Sequence, residues 1–308
     1  NKSIQTVGNP KERFQEDYLR MLRAIRFEFQ LGFELEPYEY YAIEENAHLL
    51  KNVARERVQS ELNKMLICNN PYVINRLHGT GVVSEIHSEL NKLTRVAQNN
   101  PYHIKDVWFH TISVVGNIEN KLYLKLAALL HDIGKKETKT TDEKGVDHFY
   151  GHNDKSYEIA TRILKDLKYD NKMIDKVTIL IKFHDRNVEP NFRSVKRFLN
   201  KIGSYELFKD WSELRWADIS SQNPKYLKNR AKELVKIEGI AEKIISEQQP
   251  FSVKDLEING HDLIALGYKG KEIGIELNRL LEVVIENQNC NYKDYLISNS
   301  KENLKSTL

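Results

Sequence analysis

The run Leu126-Ala127-Ala128-Leu129-Leu130-His131-Asp132-Ile133-Gly134-Lys135 constrains this chain more than any other stretch. Its apolar part consists of good helix formers and reads as a buried helix. His131 and Asp132 then fall at the rim of a core, where polar side chains are costly without partners. A divalent metal is an obvious partner, because neutral imidazole and carboxylate both ligate transition metals. The plain alternative is a capped helix end.

Other histidines shift that balance. His110 lies upstream in Asp106-Val107-Trp108-Phe109-His110-Thr111, and His152 downstream in His148-Phe149-Tyr150-Gly151-His152. His184 and Asp185 end the apolar run from Val177 to Phe183, and Asp218 closes Leu214-Arg215-Trp216-Ala217-Asp218. Helices that each carry a ligand to one point build a metal site in a bundle. The order His, His-Asp, Gly-His, His, Asp resembles the HD-domain metal phosphohydrolases, over roughly residues 100 to 220. The resemblance implies His110, His131, Asp132 and Asp218 around one metal, with Asp132 open to bridging a second held by His152 and His184. Catalysis would fall to His131, Asp132 and Lys135, the lysine holding a phosphate oxygen or simply ending a helix. Ligand type leaves magnesium, manganese and nickel open. His103 and His148 are weaker candidates, and Asp185 has no independent support.

A second resemblance covers the amino-terminal part. Phe14, Tyr18, Met21, Leu22, Ile25 and Phe29 recur at helical spacing and predict one helix from Lys11. Within it, Asp17 and Arg20 would be neighbours on one surface, either as an ion pair or as a base-reading pair. Gly8-Asn9-Pro10 through Arg26-Phe27, with Glu16-Asp17-Tyr18-Leu19-Arg20, is similar to the neck of bacterial CCA-adding tRNA nucleotidyltransferases and related poly(A) polymerases. The resemblance implies that Asp17 and Arg20 template incoming CTP or ATP, supported by Arg57 and Glu61. Those two are four apart and open to pairing with each other. The polymerising carboxylates of that family are missing here: Asp-x-Asp occurs nowhere in the chain. A nucleotidyltransferase head domain is therefore an implied partner, together with tRNA.

Of the 308 residues, 40% are hydrophobic and 30% charged, which suits a helical protein with much exposed surface. Two cysteines without metal-ligand spacing exclude a disulfide framework and fit a cytoplasmic setting. No apolar run has the length of a membrane span. The net charge of +3 permits RNA binding through local patches without arguing for it. Such patches are Arg193 and Arg197 on a basic amphipathic helix, then Lys225, Lys228, Arg230, Lys232 and Lys236. Near Lys269 and Lys271 a helix start offers backbone N–H groups to an anion. This segment also resembles the tRNA-gripping body and tail of the same family. His261-Asp262 falls outside the metal-ligand order.

The expected fold is all-α and elongated: a multi-helix neck, an HD-domain helical bundle and a helical tail. The expected boundaries are 1–9 as the remnant of an α/β head, 10–98 neck, 99–222 metal domain and 223–308 body and tail. Ile4 to Pro10 reads as a strand end and turn with no partner strand in view, and Asn287 to Leu308 as a polar end prone to fraying. Two other readings stay open, a stand-alone HD phosphohydrolase acting on nucleotides or RNA ends, and an RNA-binding scaffold with a relic site.

Overall fold

The computed structural model describes residues 2–307, with side chains through Leu304. Seventeen helices follow in order: α1 Pro10–Glu16, α2 Leu19–Leu31, α3 Pro37–Asn46, α4 Arg55–Leu66, α5 Tyr72–Gly79, α6 Val82–Ile86, α7 Val107–Asn117, α8 Leu122–Leu130, α9 Lys135–Thr138, α10 His152–Asp166, α11 Asn171–Phe183, α12 Phe192–Ile202, α13 Tyr205–Ser220, α14 Pro224–Ser246, α15 Gly260–Ala265, α16 Lys271–Glu286 and α17 Lys293–Thr307. Among the described residues no helix is long and apolar enough to cross a membrane.

Two compact units emerge, residues 1–186 with 210–231, and residues 187–209 with 232–308. The first unit holds the expected neck together with most of the expected metal domain. Residues 187–209 group instead with the tail.

In the first unit, β1 (Ser3–Ile4) pairs in parallel with β2 (Glu34–Leu35). The opening strand therefore has a partner, which the sequence reading missed because each strand is two residues long. Gly32 makes the return possible, ending α2 at φ +65°, where a side chain would be strained. The single helix expected from Lys11 is broken. Asp17 takes extended dihedrals, φ −149° and ψ 103°, between α1 and α2. Its carboxylate accepts from Leu19 N, the usual way a short acid favours a helix start over a helix interior. Met21, Leu22 and Ile25 are fully buried, and α2 packs on α4, where Val58, Leu62 and Met65 are buried.

The α8 helix is apolar on nearly every side and buried from Leu124 to Leu130. It packs against α7 and α11, and α10 packs against α11. Each fully buried leucine contributes roughly 2 kcal/mol of transfer energy before entropy is counted. This core fixes the ends of three helices, and those ends carry the site.

The second unit closes on its own core of Leu256, Ile258, Leu263, Tyr268, Leu280, Leu281, Val284, Ile285 and Leu296. The Tyr268 hydroxyl donates to the Ser300 carbonyl at 2.8 Å. The expected frayed end is helical in α17, because Leu296 buries fully against this core. Leu308 itself lies outside the described residues.

Candidate metal centre and nucleotide-recognition surface

Asp106 caps α7 through Phe109 N at 2.8 Å and so turns His110 into the core. His131 follows the last residue of α8, His152 opens α10, and His184 follows the last residue of α11. Gly134 lets these ends meet, since a Cβ there would lie 2.5 Å from His152 O and 2.6 Å from Ser156 N.

The ligand atoms form two triads that share Asp132, namely His110, His131 and Asp132, and Asp132, His152 and His184. In each triad the atoms lie within 4.8 Å of one another. His131 Nε2 lies 3.2 Å from Asp132 Oδ2, while His152 and His184 Nε2 each lie 3.6 Å from Oδ1. Asp218 belongs to neither triad and joins through His110, with Oδ1 3.1 Å from Nε2. All six side chains are buried.

The protonation pattern suits a cation. His131, His152 and His184 each donate Nδ1–H to a carbonyl three residues back, at Ala128, Phe149 and Ile181, at 2.7, 2.8 and 2.7 Å. In a neutral ring that fixes the tautomer and leaves Nε2 as a lone pair facing inward. His131 Nε2 is buried with no hydrogen-bond partner. Burial, then His184, pushes the His152 imidazole down to about 4. Burial alone would raise Asp132, but His131 and Lys135 hold it well below the usual carboxylate range. Likewise, His110 and Arg215 overcome burial at Asp218. Burial would lower His131, but Asp132 and Asp218 raise it, a pull that a cation would satisfy in place of the proton. Ionised carboxylates with imidazoles are a transition-metal donor set, so the residues fit the group.

Lys135 Nζ lies 2.7 Å from Asp132 Oδ2 and donates to Gln98 Oε1 at 2.6 Å. Gln98, Arg215 and Gln222 were not singled out from sequence. Arg215 carried a signal, its helical spacing of three before Asp218, which it meets at 3.4 Å. Gln98 reaches the site from a loop and left no pattern to read. Asp185 pairs outward with Arg215 at 2.7 Å. His103 stacks edge-on to His110 at 4.9 Å between ring centroids. His148 instead bonds Asp142 at 3.0 Å on a hairpin of Thr140–Thr141 with Asp147–His148.

The base-reading candidates are arranged differently from their expected pairing. Arg20 meets Glu16 at 2.6 Å, and Asp17 meets Arg57 at 3.1 Å. Glu61 does not pair with Arg57. It is buried between Arg26, at 2.7 Å, and Lys64, at 2.9 Å. The break at Asp17 explains the difference, since it turns that carboxylate from Arg20 toward α4. In the second unit, Arg197 is taken up by Glu282 and Glu286 at 2.7 and 2.9 Å, and Arg193 by Glu286. Lys269 and Lys271 are exposed. Glu272 turns back to accept from Lys269 N at 3.1 Å, so the start of α16 already faces a carboxylate. Asp262 accepts from Asn259 N and pairs with Lys293, the work of a cap.

Two families match separate stretches of the chain. Residues 32–93 match a family described as "Probable RNA and SrmB-binding site of polymerase A", and residues 148–299 one described as tRNA nucleotidyltransferase domain 2. A CC-adding tRNA nucleotidyltransferase of Thermus thermophilus is 28% identical over 290 residues, 90% of this chain and 64% of that protein. A CCA-adding enzyme of Bacillus pumilus is 30% identical over 304 residues, 95% of this chain and 62% of that protein. The chain thus spans less than two thirds of these relatives. The crystal structure of a Bacillus stearothermophilus CCA-adding enzyme with CTP matches at a TM-score of 0.63 and 21% identity, covering 99% of this chain and 67% of that one. At that identity the likeness is one of fold.

Proposed function

Because the chain belongs to the bacterial CCA-adding enzyme family, we infer that it is the base-reading, tRNA-binding and phosphohydrolase portion of a tRNA nucleotidyltransferase acting at tRNA 3′ ends. Asp17 and Arg20, with Arg57 and Glu61 behind them, would select CTP or ATP. Asp-x-Asp, the pattern of that family's polymerising carboxylates, occurs nowhere in the sequence, so a head domain would supply them. Arg193, Arg197, Lys269 and Lys271 are the proposed tRNA contacts. Of these, the two lysines are the freer, since acidic neighbours already hold the arginines.

The two-triad cluster carries the hydrolytic part of the reading. His110, His131, Asp132, His152, His184 and Asp218 would hold divalent cations, which supply Lewis acidity to a phosphate ester and acidify water. The imidazoles suit nickel and the carboxylates magnesium or manganese, so the donor set leaves all three open. The backbone-bonded imidazoles keep their lone pairs oriented, so the site needs no reorganisation to accept charge. Lys135, buried beside Asp132, offsets the negative charge that grows on phosphorus oxygens during attack.

Purified chain with manganese or nickel is expected to hydrolyse 2′,3′-cyclic AMP, and His131→Ala and Asp132→Ala to lack that activity. Equal rates in all three would remove the phosphohydrolase assignment. Separately, Asp17→Ala in a protein that joins this chain to a head domain is expected to blur selection between CTP and ATP on tRNA.

A further inference from the structure

Beside the cluster lies a group of rings and cations that metal binding does not account for. Tyr102 and Tyr226 set their rings 5.0 Å apart at 54°. Tyr102 is half exposed. Arg230 places its guanidinium 5.7 Å from the Tyr102 ring centre, and Lys225 its ammonium 5.8 Å from that of Tyr226. Among the described residues Arg230 makes no ion pair; its hydrogen-bond partner is the neutral amide of Gln222. Gln222 donates in turn to Asp218 Oδ1 at 2.8 Å, and that oxygen lies 3.1 Å from His110 Nε2. On the other side, His103 follows Tyr102 in the chain and stacks on His110. Both routes lead from this rim to His110, the first through Asp218.

A purely structural role does not require these rings. The loop is already strapped to the start of α14 by Asn223, which donates to the carbonyls of Tyr102 and Pro101 at 2.8 and 2.9 Å. The rings and the guanidinium are surplus to that strap. Asp218 and Asp185 act on this half-buried guanidinium without pairing with it, so its planar fork is left for an anion, and phosphate matches that fork. A half-exposed tyrosine face beside it accepts a base by stacking, without regard to base identity.

We propose that Tyr102, Tyr226 and Arg230 form a clamp for one nucleoside monophosphate unit, free or at an RNA end, stacking its base and presenting its phosphate to the cluster. This deepens the phosphohydrolase reading by naming the residues that would seat its substrate, and it rests on that reading for the fate of the phosphate.

Calorimetric titration of metal-free protein separates the two, because neither metal loading nor turnover enters the measurement. The probes are adenosine 2′-monophosphate, adenosine, inorganic phosphate and a short RNA ending in a 2′-phosphate. Wild type is expected to bind the nucleotide more tightly than either half. Tyr102→Ala is expected to weaken nucleotide binding about tenfold and leave inorganic phosphate unchanged. Arg230→Gln is expected to weaken both, with partial recovery in Arg230→Lys. Tyr102→Leu, which keeps the bulk, serves if the alanine variant unfolds, and thermal melts identify that case. Equal nucleotide affinity in wild type, Tyr102→Leu and Arg230→Lys would overturn the clamp, as would a wild type that binds no nucleotide. Tight nucleotide binding by a wild type that hydrolyses nothing would leave the clamp standing and remove the phosphohydrolase. RNA binding at least tenfold tighter than the mononucleotide would assign the clamp to RNA ends.

Discussion

His152 and His184 bring their Nε2 atoms to 3.1 Å of each other. Each ring has already given its Nδ1–H to a backbone carbonyl, so two lone pairs face across that gap. Two acceptors that close repel unless a proton or a cation lies between them. Burial disfavours the proton at His152. A divalent cation relieves the repulsion and uses both lone pairs at once.

Metal binding should therefore stabilise the fold measurably. At a free concentration about 100 times Kd, one site adds about 2.7 kcal/mol. Manganese or nickel is expected to raise the melting temperature and EDTA to reverse the shift. His184→Ala, which removes one lone pair, is expected to shrink the metal-induced shift. A melting curve indifferent to metal would contradict this expectation.

The convergence of these side chains was legible because helix ends translate sequence spacing into position. His131 and His184 both follow the last residue of an apolar helix, where pattern and place coincide. The neck pairing was not legible, because it turns on one residue, Asp17, choosing a cap over a helix interior. Helical periodicity runs through that position without a visible gap. The short parallel pairing of Ser3–Ile4 with Glu34–Leu35 was hidden for another reason: two-residue strands carry no alternation.

Gly134 is expected to tolerate no side chain. A Cβ at 2.5 Å from His152 O meets backbone on α10, which cannot swing aside as a side chain could. Gly134→Ala should cost ~3 kcal/mol in urea denaturation and loosen metal binding at His152. Gly239 is the matched control, exposed inside α14 with open space around its Cβ position. Gly239→Ala should stabilise by roughly 0.5–1 kcal/mol through helix propensity.

Asp147 predicts an acid limb. Burial would raise its carboxyl, but Lys139 at 2.8 Å, Asn99 N and Thr141 bring it down to about 2 from 3.8. A folded-state value below the unfolded one stabilises the protein above pH 3.8. That contribution is lost as the pH falls from 3.8 to about 2. Asp147→Asn should flatten the stability profile across that interval while leaving the slope above pH 5 unchanged. An unaltered acid limb would show that other carboxylates set it.

Glu61 and Arg57, expected to act alike, should separate on mutation. Arg26 is 8% exposed, and Glu61 is its carboxylate partner. Removing one member of a buried pair strands the other, at a cost of about 3–5 kcal/mol. Glu61→Ala should therefore be strongly destabilising by chemical denaturation. Arg57 is half exposed and holds Asp17 at 3.1 Å, a surface pair worth about 0–1 kcal/mol. Arg57→Ala should unfold at nearly the wild-type denaturant concentration. If the base-reading assignment holds, this variant also loses discrimination between CTP and ATP when joined to a head domain. The stable variant is the one that reports on nucleotide selection, because its fold does not depend on the group removed.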